Sequence, residues 1–140
     1  MRAPPTSTVM WTRLFLGLIA LLFIAFGLWS LFDPLGMTAQ LGVETSGPNN
    51  VFEMRGIYGG VSLGAAALTG MGALQPAKFE RPALWFLAAY MGGYTLSRAV
   101  SLIAGDTPTA TSWAFASFEV LTFILTCVAL RSRSHEKSPA

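Results

Sequence analysis

Apolar residues run almost unbroken through four stretches of the chain: Leu14 to Phe32, Gly56 to Leu74, Pro82 to Ala104 and Trp113 to Leu130. Arg98 in the third and Glu119 in the fourth are the charges inside them. Each stretch approaches the ~20 residues needed to cross a ~30 Å hydrocarbon layer. Lipid offers no partner to backbone N–H and C=O groups, so a crossing segment is a helix or part of a closed barrel, and continuous apolar runs select the helix. The pattern predicts helices over 13–32, 51–74, 82–104 and 112–131, forming an all-α transmembrane four-helix bundle over 13–131. A tail over 1–12 precedes it, and a polar tail over 132–140, expected to be disordered, follows.

Turn-forming residues mark the connections: Pro34, Gly36, Gly42, Gly47 and Pro48 in the first, Pro76 and Pro82 in the second, Gly105 and Pro108 in the third. The 33–49 segment is the roomy one, and its Leu35, Met37, Leu41 and Val43 suit a short turn or helix resting on the membrane surface. No internal repeat is evident.

Composition supports this reading, because 140 residues make one domain, and 53% hydrophobic with 11% charged residues is far from a water-soluble balance. The formal net charge of +2 matters only once it is mapped. With four crossings, one side of the membrane carries Arg2, Arg13, Lys78, Arg81, Arg131, Arg133 and Lys137, and the opposite loops carry Asp33, Glu44 and Asp106 without a lysine or arginine. Positive charge stays inside, which predicts that both termini are cytoplasmic in a multi-pass membrane protein. Trp11 and Trp85 fall near cytoplasmic helix ends and Trp29 and Trp113 near outer ends, as interfacial aromatics do. A cleaved signal peptide is the rival for the first stretch; its length exceeds a usual signal core and no A-x-A site follows, so an anchor is expected. The single Cys127 permits no intramolecular disulfide and reads as packing. The basic residues flank membrane segments instead of forming a separate domain, which speaks against nucleic acid as a partner.

The charges inside the apolar runs carry the candidate chemistry. At about 1.5 Å per residue, Arg98 and Glu119 both lie about 10 Å below the outer boundary. A charge in hydrocarbon costs about 3 kcal/mol on lenient scales, so such a group is a functional candidate. Glu119 is too short to reach the surface, and Arg98 on the antiparallel neighbouring helix is its expected partner. Glu53 and Arg55 reach the same level from the start of the second helix. For Glu53 a capping box with Asn50 as N-cap is an equal alternative, and for Arg55 the alternative is snorkelling to head groups. Tyr90, Tyr94, Ser97, Arg98 and Ser101 share one helical face, as do Glu119, Thr122 and Thr126. A polar cavity in the outer half, lined by Arg55, Tyr58, Tyr94, Arg98 and Glu119, is one reading; a satisfied structural network is the other. Gly56, Gly60 and Gly64 recur every four residues as a row for close helix packing, within the chain or at a dimer seam. Ala88 with Gly92, and Ala89 with Gly93, repeat the idea.

The run Glu53-Met54-Arg55-Gly56-Ile57-Tyr58-Gly59-Gly60, with a later Arg98 and a final Glu119, resembles a bacterial family of uncharacterised four-helix inner-membrane proteins, broadly DoxX-like, over about residues 13–130. The resemblance implies the fold and marks these residues; it implies no reaction and no cofactor.

Three functions remain open. The first is a non-enzymatic module binding membrane lipid, a hydrophobic or anionic small molecule, or a partner subunit, with Arg55 and Arg98 holding an anionic or carbonyl group. The second is a proton-coupled exporter acting as a homo-oligomer, for which the arginines near Glu119 are unfavourable. The third is an intramembrane isomerase using Glu53, Glu119 and tyrosines, the minority reading. His135 is in the tail, and no metal-ligand cluster, nucleophile elbow or phosphate-binding glycine loop appears.

Overall fold

The computed structural model describes residues 6–44 and 46–135, and among these it is helical without strands. α1 spans Thr6–Phe32, α2 Pro34–Leu41 and α3 Pro48–Met54; α3 runs through a π-helical stretch, Arg55–Gly60, into α4, Val61–Leu74. α5 spans Pro76–Ala104 and α6 Ala110–His135. Three stretches are long and apolar enough to cross a membrane among the described residues: Val9–Phe32, Asn49–Leu74 and Ala110–Ser132. α5 is not one of them, because Tyr90, Gly92, Gly93, Tyr94, Thr95, Ser97 and Arg98 dilute its apolar character.

Several boundaries differ from the sequence pattern, each for a local reason. α1 begins at Thr6, not 13, since a helix need not stop where the hydrocarbon does. α5 begins at Pro76, not at Pro82, which lies inside it. Pro76 takes the first-turn place where a missing N–H is tolerated. α6 starts at Ala110, where Thr109 caps it by accepting from Ser112 N–H at 3.3 Å. The same helix continues to His135, so 132–135 belong to it rather than to a disordered tail; 136–140 and 1–5 lie outside the described residues.

The roomy 33–49 connection contains a capped helix. Asp33 accepts from Gly36 N–H at 3.0 Å at the start of α2, and Pro34 follows as its first residue. Gly42 ends it in the left-handed region (φ 70°), where Gly42 N–H bonds Ala39 O and Val43 N–H bonds Thr38 O, a Schellman closure. Gly105 (φ 94°) closes α5 in the same way, with Gly105 N–H on Leu102 O and Asp106 N–H on Ser101 O. Met37 and Thr38 are buried, so α2 is packed and not merely laid on a surface. Replacing Asp33 with alanine removes about 1 kcal/mol of capping, and hydrogen exchange at Gly36 should quicken several-fold.

The chain forms two compact units, the first reaching Ala83 and the second beginning at Leu84. In the first, α1 and α4 are antiparallel: a Cβ on Gly17 would lie 3.8 Å from that of Ala73, one on Gly70 3.8 Å from that of Ala20, and Gly27 faces Gly59 and Leu63. The buried stripe of α1 is Thr12, Leu16, Ile19, Ala20, Phe23 and Ser30, and that of α4 is Ser62, Ala65, Ala66, Thr69 and Gly72. In the second unit α5 and α6 are antiparallel, with Gly92 against the Phe123 ring and Arg98 against Glu119.

The polarity of α6 is inverted relative to a soluble helix. Its buried positions are Glu119, Thr122 and Thr126, while Leu121, Ile124, Leu125 and Val128 are exposed. The outward apolar face suits lipid. The inward polar face satisfies itself, as where Thr126 donates to Thr122 O at 2.7 Å.

Candidate functional site

The charged pair sits on α5 and α6. Arg98 Nε–H donates to Glu119 Oε2 and Arg98 Nη2 to Glu119 Oε1, both at 3.0 Å, a side-on bidentate bridge. The two partners are unequally enclosed: the Glu119 side chain is 8% exposed and that of Arg98 44%. Glu119 therefore acts as an internal anchor that fixes the plane of a guanidinium whose outer part remains accessible.

An aromatic ladder leads to that arginine along one face of α5. Phe86 stacks on Tyr90 (centroids 5.4 Å apart, planes 21° apart), and Tyr90 meets Tyr94 edge-on at 5.1 Å. The Tyr90 and Tyr94 hydroxyls lie 3.5 Å apart, and Arg98 Cζ is 5.9 Å from the Tyr94 ring centroid, in cation–π range. Steps of four residues stack side chains one turn above another, so Phe86, Tyr90, Tyr94 and Arg98 form a continuous strip that grades from apolar to charged. Gly92 lets the α6 ring of Phe123 lie close to the α5 backbone, where a Cβ would stand 3.0 Å from Phe123 Cε2.

Glu53, Arg55 and Tyr58 belong to the first unit. Glu53 is exposed, and the capping box does not form: Gly47 is the N-cap, and Asn50, inside the first turn, donates its side-chain amide to Ser46 O. Arg55 is exposed and donates Nε–H to Leu31 O at 3.0 Å, near the end of α1. Tyr58 meets Phe26 of α1 edge-on, with centroids 6.1 Å apart. All of the Arg55–Gly60 run is π-helical, with Val61 N–H reaching back to Gly56 O.

The close helix approach falls on Gly59, Gly27 and Gly72. A Cβ on Gly59 would stand 2.7 Å from Leu31 Cδ2, and one on Gly27 2.9 Å from Leu63 Cγ. A Cβ on Gly56 or Gly64 would meet nothing within 4 Å, and one on Gly60 only the Arg55 carbonyl of its own helix at 3.9 Å.

Two further residues emerge only with the structure. Phe86 completes the ladder, and its four-residue spacing from Tyr90 was the available signal. Glu80 is buried because α5 starts early enough to put it in phase with buried Ala83, Leu84, Leu87 and Met91; placing 75–81 in a loop hides it. Among the described residues no group of three or more His, Cys, Asp or Glu side chains could hold a metal ion.

No curated protein and no solved structure matches the chain. Residues 11–130, which take in both the charged pair and the π-helical run, match DUF4345, a domain of unknown function, and the chain therefore belongs to that family.

Proposed function

We propose that the chain is a multi-pass protein of the bacterial inner membrane, with four crossings and cytoplasmic termini, that binds a small amphipathic ligand at Arg98. The observation that carries this reading is the unequal enclosure of the pair, with Glu119 8% and Arg98 44% exposed. A carboxylate used wholly for orientation, beneath an accessible guanidinium, is a receptor for an anionic or carbonyl head group. The ladder of Tyr94, Tyr90 and Phe86 offers the apolar tail a strip alongside. Four crossings follow if α5, 29 residues long, also spans, its arginine neutralised by Glu119. The Lys and Arg residues at both tails and at 78 and 81 then share one side. The likeness to DoxX-like proteins belongs to the same reading. A proton-coupled exporter is disfavoured, since both carboxylate oxygens of Glu119 are taken up by the bridge to Arg98.

The test is to compare small molecules that co-purify with the full chain in mild detergent, by mass spectrometry, for the native protein and Arg98→Lys. Lysine keeps the charge and loses the planar fork. Retention of the co-purifying species should fall at least tenfold while the melting profile is preserved. Equal retention by the two proteins sinks the proposal.

A further inference from the structure

The α1–α4 hairpin carries a reciprocal pair of arginines. Arg13, near the start of α1, donates Nε–H to Ala73 O at the end of α4, and Arg55, ahead of α4, donates Nε–H to Leu31 O at the end of α1, each at 3.0 Å. The last carbonyls of a helix lack intrahelical partners and carry the negative end of its dipole, so a cation is well placed there. Since the helices are antiparallel, the two guanidiniums stand at opposite ends of the hairpin. The stretch from Arg13 to Leu31 is about 27 Å long at about 1.5 Å per residue, close to the ~30 Å thickness of a hydrocarbon layer. Ala73 and Arg55 bound an equal number of residues on the other helix. Between these levels the outward surface is apolar, with Leu14, Leu18, Leu21, Leu28, Val61 and Met71 exposed.

Anchoring through Nε restrains the guanidinium and leaves its end-on edge, formed by the two amino groups, unspent. Both arginines are exposed, and among the described residues neither amino end meets an acceptor. Two amino groups in one plane are the fork that pairs with two oxygens of a phosphate. Beside each lies exposed apolar surface, Met10 one turn before Arg13 and Phe52 one turn before Arg55. A soluble anion gains nothing from that surface, whereas a phospholipid lays its chains there.

We infer that Arg13 and Arg55 are two phospholipid head-group sites, one on each membrane face, each gripping a phosphate through amino groups pre-oriented by a helix-terminal carbonyl. They are separate from the Arg98 site and rest only on the hairpin crossing a bilayer.

The full chain, purified in mild detergent, is titrated with dioleoyl phosphatidylglycerol and observed by native mass spectrometry. A glycolipid with the same chains and no phosphate serves as the comparison. The native protein should hold one firmly bound phosphatidylglycerol per arginine, Arg13→Gln and Arg55→Gln should each lose one, and the double variant both, with no firm binding of the glycolipid. Lysine variants keep the charge without the anchored fork and should also lose firm binding, which covers a glutamine variant that fails to fold. Unchanged occupancy in folded variants overturns the inference, as does firm glycolipid binding or displacement of the lipid by millimolar inorganic phosphate, which would mark a soluble-anion site. Carbonate extraction of membranes separates the two levels of failure: release of the native chain removes the bilayer reading itself, whereas retention with arginine-independent lipid removes only these sites.

Discussion

Replacing Arg98 singly with methionine should destabilise the protein by up to about 3 kcal/mol and replacing Glu119 by less, whereas replacing both should leave it as stable as the native chain or more so. Each single change leaves one charge of the bridge without its counter-charge, and the loss is unequal. Arg98 has a long stem that can carry its charge toward the surface once Glu119 is gone. Glu119, enclosed by its neighbours, has no such route when Arg98 is gone, so Arg98→Met should be the worse variant. Unfolding titrations in mixed micelles for the two singles and the double give the coupling directly. Strictly additive losses would mean that the 3.0 Å bridge carries no coupling energy. The double variant also separates stability from binding, because a well-folded protein without Arg98 should retain no ligand.

The second large effect belongs to Gly72. A Cβ there would stand 2.6 Å from the Ala83 Cβ, 3.0 Å from Leu16 Cδ1 and 3.3 Å from Phe79 O. The leucine tip can turn aside; the alanine and the carbonyl are tied to backbone and cannot. Gly72→Ala should thus force α4 and the start of α5 apart at a cost of about 1–3 kcal/mol, and Ala83→Gly in the same chain should recover part of it. Gly64→Ala, with nothing within 4 Å of the new Cβ, should be neutral or stabilising by up to about 1 kcal/mol. Thermal melts of the three variants make the comparison. Loss of an oligomer in Gly64→Ala would assign the row Gly56, Gly60 and Gly64 to contacts between copies.

Element type was legible in the sequence wherever apolar runs were long, and the Arg98–Glu119 encounter was legible because two isolated charges at equal depth on consecutive helices have few other partners. Helix phase was harder to read. α4 is apolar or small all round, so it has no contrast between faces, and the evenly spaced glycines point to a stripe one step away from the buried one. The hydroxyls were the better guide: Thr12 and Ser30 on α1, Ser62 and Thr69 on α4, and Thr122 and Thr126 on α6 are all buried. A hydroxyl in an apolar helix is best satisfied away from lipid, commonly by a carbonyl one turn back, as Ser30 does to Phe26 O and Thr69 to Ala65 O. Hydropathy alone does not locate the helix ends. Asp33-Pro34 and Gly42 spelled out α2, and Pro76 the start of α5, but capping signals act on the backbone and do not appear in a hydropathy pattern. That Arg55 donates to a main-chain carbonyl on α1 leaves no trace in residue identity, so this contact is not legible in the sequence.

The inverted polarity of α6 governs how the chain can drift. Leu121, Ile124, Leu125 and Val128 face outward and need only be greasy, so interchange among leucine, isoleucine, valine and phenylalanine there should be nearly silent. Thr122 and Thr126 face inward, where swapping a hydroxyl for a methyl of the same volume changes the chemistry of the seam. A library randomised along this helix should therefore accept variation on its greasy side and reject it on its hydroxyl side, the reverse of what a water-soluble protein tolerates.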